Sequence, residues 1–186
     1  YRRRGVGPLA GGRRADNNSL RVALTWADNP AHQNDRARSL SLKQLAPLLS
    51  LPGVRCYCFQ VGDPQREVAQ LNLTELLPVA RTSFTDGRIL RALAQIDVVV
   101  TVDTSIAHIA GAAGVPVWLL LGTSPDWRWL LDREDTPWYP SMRLFRQPAD
   151  GDWAGVIDRV AGELRQWAAE RPVQSPSATP KCAAKA

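Results

Sequence analysis

The chain has 186 residues, 45% of them hydrophobic and 22% charged, with a formal net charge of +5. That is enough for one globular core, and no apolar run reaches the roughly 20 residues a membrane-spanning helix needs. The positive charge is local: residues 1–14 hold five arginines and no acid, leaving eighteen basic side chains against eighteen acidic ones, so the body is neutral and nucleic acid is a poor partner for it.

Residues 1–19, rich in Arg, Gly and Asn, are expected to form a linker or disordered lead, without the apolar segment of a signal peptide. Residues 20–26 (LRVALTW) alternate and are β-rich, which makes them the first strand, and 27–39 (ADNPAHQNDRARS) form a long polar loop. Residues 42–51 read as a short helix capped by Ser41, with Pro47 marking a kink or a late start. Pro52-Gly53 turns into a strand over 54–60 (VRCYCFQ), on which Cys56 and Cys58 face the same way. With Cys182 in the tail, the three cysteines form neither a disulfide framework nor a metal-ligand spacing, so a reducing, cytoplasmic compartment is expected. A helix over about 65–71 and a short strand near 73–77 follow, then a helix capped by Thr85 or Asp86 that carries Ile89, Leu90, Leu93 and Ala94.

The stretch 96–122 carries the clearest signal. Ile96, Val98, Val99, Val100 and Val102 form a near-continuous apolar run, as in a strand covered on both faces. Asp103-Thr104-Ser105 offers three N-cap side chains in a row; 106–113 is a helix of small residues, ended by Gly114, and 116–121 is again an apolar strand. A strand feeding a helix with a polar first turn makes an anion site, because free backbone N–H groups and the helix dipole point there. Beyond it, Pro125-Asp126-Trp127 starts a short helix, 142–145 is a short strand, and 152–169 an amphipathic helix; 172–186, rich in Pro, Ser and Ala, is expected to be disordered.

Strands alternating with helices predict an α/β, Rossmann-like doubly wound parallel sheet of about six strands in the order 3-2-1-4-5-6. That order sets the first and fourth strands side by side at the switch point, where ligands bind beyond the carboxyl ends. The loops at those ends hold both histidines of the chain, His32 and His108. Thr104 and Ser105 would offer hydroxyls and N–H groups to a phosphate, and His108, leaning back toward the helix mouth, a further donor. Asp103, repelled by phosphate, would cap the helix or accept hydrogen bonds from sugar hydroxyls, a role His32 and Asn34 could share. Arg36 and Arg38 suit bidentate phosphate contacts. Phe84 and Thr85 are candidates for a nucleotide base. The plainer alternatives are helix capping by Asp103 and Thr85, packing of His108 against the sheet, and a solvated first loop. Trp127, Trp129 and Trp138 crowd 125–141 on the rim of the same crevice, either to stack on a sugar or to pack under the loop.

No G-x-G-x-x-G follows the first strand, and there is no P-loop, G-x-S-x-G elbow or metal-ligand cluster. The residues instead resemble a known family. Val102-Asp103-Thr104-Ser105-Ile106-Ala107-His108, with Gly114-Val115-Pro116-Val117 after it, is similar to the D-[ST]-[GAS]-x-x-H element of family 9 glycosyltransferases, the ADP-heptose:lipopolysaccharide heptosyltransferases. TWADNPAHQNDRARS, VDTSIAHIAGAAGVPVWLLL and PDWRWLLDREDTPWYPSMRLFRQ, followed by Asp152-Trp153, look even more like glycosyltransferase-like C-terminal domains attached to tetratricopeptide repeats in bacterial proteins; the resemblance covers about residues 20–167.

The resemblance implies one half of a two-domain GT-B fold, a nucleotide-sugar-binding domain over 20–170 with a tail over 171–186. It implies a metal-independent glycosyltransferase with no cofactor, a nucleotide-diphosphate sugar being the co-substrate. Thr104, Ser105 and His108 would meet the diphosphate, with Arg36 or Arg38 standing where the family has Lys. The catalytic base would lie outside this chain, on an N-terminal acceptor domain, so the domain alone would transfer nothing; that domain and tetratricopeptide repeats are the expected partners. Two departures stand out: Ser105 replaces the usual Gly, and Val61-Gly62-Asp63-Pro64 replaces a Lys-Gly-Pro. They leave two alternatives, a non-catalytic interaction module on the same fold and an epimerase-type enzyme.

Overall fold

The computed structural model describes residues 19–28, 38–62, 66–70, 76–78 and 87–171. His32, Asn34, Arg36, Phe84, Thr85 and Cys182 lie outside the described residues, as do the expected lead and tail apart from Ser19 and Arg171.

Six strands form one sheet: β1 (Leu20–Thr25), β2 (Val54–Cys58), β3 (Leu76–Pro78), β4 (Val98–Val102), β5 (Val117–Leu121) and β6 (Met142–Arg146). Every pairing is parallel, and the order is β3-β2-β1-β4-β5-β6, as the strand–helix alternation predicts. The register sets Val22 opposite both Cys56 and Val98, so β1 and β4 are neighbours at the switch point. The helices are α1 (Ala46–Leu49), entered through a 3-10 turn at Leu42–Leu45, then α2 (Arg66–Gln70), α3 (Arg88–Leu93), α4 (Ser105–Ala112) and α5 (Trp153–Glu170).

Strand alternation sorts the core into two layers. Leu20, Val22 and Leu24 of β1, Cys56 and Cys58, and Val98, Val100 and Val102 pack under α1 and α5, where Leu48, Val156, Ile157, Val160 and Leu164 close the layer. Ala23, Tyr57, Val99, Val117 and Leu119 face the other way, onto Ile89 and Leu93 of α3 and Ile106, Ala107 and Ala110 of α4. Full burial of each Val, Leu or Ile contributes about 1.5–3 kcal/mol, enough in sum to oppose the ordering of the chain. Burial also pushes the Cys56 thiol up to about 12 and Cys58 to about 11.

Local chemistry accounts for the element ends. Ser41 and Gln44 form a capping box, the Gln44 Oε1 accepting from the Ser41 N–H at 2.9 Å. Pro47 falls in the first turn of α1, where its missing N–H costs nothing, which makes it the late start rather than the kink. In α3 the N-cap position is Gly87, not Thr85 or Asp86. Only the stripe Ile89, Ala92, Leu93 reaches the core; Leu90, about a quarter-turn away, is 52% exposed, and Ala94 is exposed too. Helix α4 ends in a Schellman motif: Gly114 at φ +70 donates to Gly111 O and Val115 to Ala110 O. Asp152 Oδ1 caps α5 by accepting from the Gly155 N–H at 2.9 Å. At the amino ends of the strands Arg171 pairs with Asp97 at 2.6 Å and donates to Ser19 O, tying the end of α5 to the start of β1.

Candidate functional site

At the opposite, carboxyl ends of β1, β4 and β5 the sheet opens into a cavity of about 410 Å³. Asp28 and Arg38 form one wall, Asp103, Thr104, Ser105 and His108 the floor and mouth of α4, and Gly122, Ser124, Asp126 and Arg128 the far side. Four of the five described residues singled out in the sequence come from α4 and the turn before it; Arg38 reaches the same cavity from the first loop.

The mouth of α4 departs from the expected capping. Thr104 is the N-cap residue, with extended backbone (φ −136, ψ 170), yet no side chain caps the helix. The Thr101 hydroxyl donates to Val102 O at 2.8 Å, so in the 3.2 Å pair between Thr101 and Thr104 the proton comes from Thr104. A buried neighbour thus takes the proton that Thr104 was expected to offer a phosphate, and Asp103, 7% exposed, does not cap either. What remains for an anion is the backbone: first-turn N–H groups with no side-chain acceptor, at the positive end of the α4 dipole. Ser105 stands exposed beside them.

His108 leans toward the mouth, as a helical side chain does. Its Nε2 lies 3.8 Å from Asp103 Oδ1, and its Nδ1 lies 3.0 Å from the Tyr139 hydroxyl. The ring stacks on Trp129, with centroids 5.4 Å apart and planes at 23°. Trp129 is fully buried, which is the packing alternative, while Trp127 and Trp138 are 72% and 55% exposed. Tyr139 crosses α4 at Gly111, where a Cβ would sit 2.7 Å from the Tyr139 Cγ; only glycine admits this approach.

The first loop is closed at its base. Buried Gln60 accepts from the Trp26 and Ala27 N–H groups, each at 3.0 Å, continuing β1 past its last strand partner, and Asp28 N donates to Ser39 Oγ. Arg38 then pairs with Asp28 on the cavity wall. Across the cavity Arg128 Nε lies 3.2 Å from Asp126 Oδ1. Both arginines are therefore held by a carboxylate and face the same space. Asp28, Asp126, Arg128 and Tyr139 were missed in the sequence: Arg128 sits between two tryptophans that dominate the local pattern, and nothing local ties Tyr139 to a histidine 31 residues earlier. Among the described residues no group of His, Cys, Asp and Glu could hold a metal ion, and no helix is long and apolar enough to cross a membrane.

No family model matches the chain. It is similar to Protein FlbA of Caulobacter vibrioides, with 34% identity over 155 residues, which is 80% of this chain and 26% of that protein. Among solved structures it resembles E. coli heptosyltransferase WaaC with ADP (TM-score 0.55, 18% identity, 82% of this chain and 46% of that one). The same enzyme with ADP-2-deoxy-2-fluoro heptose gives a TM-score of 0.54 at 16% identity, over 80% of this chain and 44% of that one. The chain thus spans about a quarter of the length of the curated relative and under half of the solved enzyme. Its doubly wound sheet is of the kind found in one part of a GT-B, family 9-like glycosyltransferase.

Proposed function

We propose that this domain binds the diphosphate of a nucleotide sugar and serves as the donor half of a metal-independent glycosyltransferase. The observation that carries the reading is the uncapped N-terminus of α4, opening into a cavity that Arg38 and Arg128 face from opposite sides. A diphosphate there would meet backbone N–H groups and the helix dipole at one end and guanidinium groups on its flanks. The fold's likeness to a heptosyltransferase solved with ADP supports the same reading. Ser105, Thr104 and His108 are the proposed contacts on the α4 side; Asp103, which phosphate would repel, is the proposed acceptor for sugar or ribose hydroxyls. In transfer, such a crevice would stabilise the negative charge that gathers on the departing nucleoside diphosphate. The base that activates the acceptor, the acceptor domain and any tetratricopeptide repeats belong to the proposed larger protein.

One observation favours a second reading, a non-catalytic interaction module on the same fold. Asp28, Asp103 and Asp126 bring three carboxylates to a cavity with two arginines, and both arginines are already paired. Calorimetric titration with ADP, UDP and GDP separates the two. Donor binding predicts a saturable heat with at least one nucleotide, weakened about tenfold in His108→Ala, the loss of one hydrogen bond to a charged group. No binding at millimolar nucleotide would overturn the donor reading and leave the interaction module.

A further inference from the structure

We infer that Tyr139 is a positioning residue that fixes which nitrogen of His108 carries the proton, so that the neutral ring turns an Nε2–H donor toward the cavity. The use made of that donor rests on the phosphate reading of the cavity; the tautomer itself does not.

Proton counting gives the assignment. A neutral imidazole has one N–H and one bare nitrogen, and a tyrosine hydroxyl has one proton to give. The Tyr139 hydroxyl lies 3.0 Å from His108 Nδ1 and has no other hydrogen-bond partner among the described residues. That contact forms either with Tyr139 donating to a bare Nδ1 or with an Nδ1–H donating to Tyr139. Asp103 Oδ1, which only accepts, lies 3.8 Å from Nε2 and draws the ring proton there, so Nδ1 is bare and takes the Tyr139 proton. Stacking on Trp129 fixes the ring plane, and the missing side chain at Gly111 lets Tyr139 lie across the helix at hydrogen-bonding range. The other charged groups around the ring's cavity are Asp28 and Arg38 beyond β1, and Asp126 and Arg128 beyond β5. They act on the ring's overall charge and do not distinguish its two nitrogens as the Tyr139 contact does.

The opposite tautomer would turn a lone pair toward a phosphate oxygen and weaken binding. The imidazolium carries protons on both nitrogens, so when the ring is charged no selection is needed and Tyr139 accepts instead.

Nitrogen-15 NMR of the ligand-free chain, labelled at histidine and carrying His32→Gln so that one ring is observed, tests the tautomer near about pH 8, where an ordinary imidazole is neutral. The parent is expected to show a bare Nδ1 and a protonated Nε2, and Tyr139→Phe a shift toward the Nδ1–H form. An unchanged tautomer in Tyr139→Phe would overturn the inference. In ADP titrations, Tyr139→Phe should lose about three- to tenfold in affinity in buffer where the parent's nitrogen-15 spectrum shows a neutral ring, and little where it shows an imidazolium. An equal loss at both would mean that Tyr139 only packs. Failure of ADP to bind the parent would remove the phosphate reading, and the NMR result would still decide the role of Tyr139.

Discussion

The turn from β4 into α4 and the loop between β5 and β6 both line the cavity, and they are built in opposite ways. The first is a local device: a buried strand, an extended Thr104 and a small-residue helix place free N–H groups at one point, and the residues concerned lie within a few positions of one another. The second is a tertiary device. Trp129 and Tyr139 reach back to His108 from 21 and 31 positions away, and they meet it only because the sheet brings β5 and β6 alongside β4. The backbone alone offers free N–H groups at a helix mouth; the loop decides how the one described histidine beside them is presented. Leu130 (φ +54) and Asp132 (φ +51), neither of them glycine, sit in the left-handed region in that loop, and the local device has no such strain.

Removing the tertiary device should cost most. Trp129→Ala removes a fully buried side chain from the core layer and the ring on which His108 stacks, and should lower stability by about 3–5 kcal/mol. Denaturant unfolding measures it, and a loss below about 1 kcal/mol would mean the loop is only draped on the domain. Next comes a pair of helix glycines. Gly111→Ala drives a methyl into Tyr139, and overpacking of this kind costs about 1–3 kcal/mol; the same variant should loosen the His108 contact. Gly162→Ala on α5 meets nothing within 4 Å and should stabilise by about 0.5–1 kcal/mol through helix propensity. If the two alanines behaved alike, the close approach of Tyr139 would not be what holds the ring.

The far side of the sheet gives a control that leaves both devices untouched. Cys56 and Cys58 are held protonated by burial, at about 12 and about 11 against an ordinary 9.0. A raised thiol pKa means the unfolded chain loses protons first as pH rises, so this contribution is intact below pH 9 and is lost progressively as pH climbs from there toward the folded values. Stability of a Cys182→Ser variant should fall between about pH 9 and about pH 10, by roughly 1 kcal/mol per thiol. Replacing Cys56 and Cys58 by Ala should flatten that slope.

What could be read from the sequence follows the same division. The strand order came from alternation of strands and helices, and the crevice from its switch point, because period and topology are carried by the apolar pattern itself. Asp103, Thr104, Ser105 and His108 were found because they are consecutive or nearly so. The partner of the Thr104 hydroxyl was not legible, since the hydroxyl that takes its proton belongs to Thr101, a polar residue inside an apolar strand that the pattern treats as an interruption. Tyr139 was not found because its partner lies 31 positions away; Arg128 pairs with nearby Asp126, and it is the sheet that brings the pair to the cavity. Capping of α3 was misplaced by one or two positions because Thr85, Asp86 and Gly87 stand in a row and all suit an N-cap. Gln60, whose amide substitutes for a strand partner at the end of β1, has no local signature at all.

The central claim is that an anion is held by the backbone at the mouth of α4. Amide chemical-shift mapping tests it most directly: nucleoside diphosphate is titrated into nitrogen-15-labelled chain and the shifts are followed residue by residue. The account predicts the largest, saturable shifts at the amides of Thr104, Ser105 and Ile106, with smaller ones at His108 and Arg128. Saturable shifts that left those three amides unmoved and clustered elsewhere on the domain would contradict it.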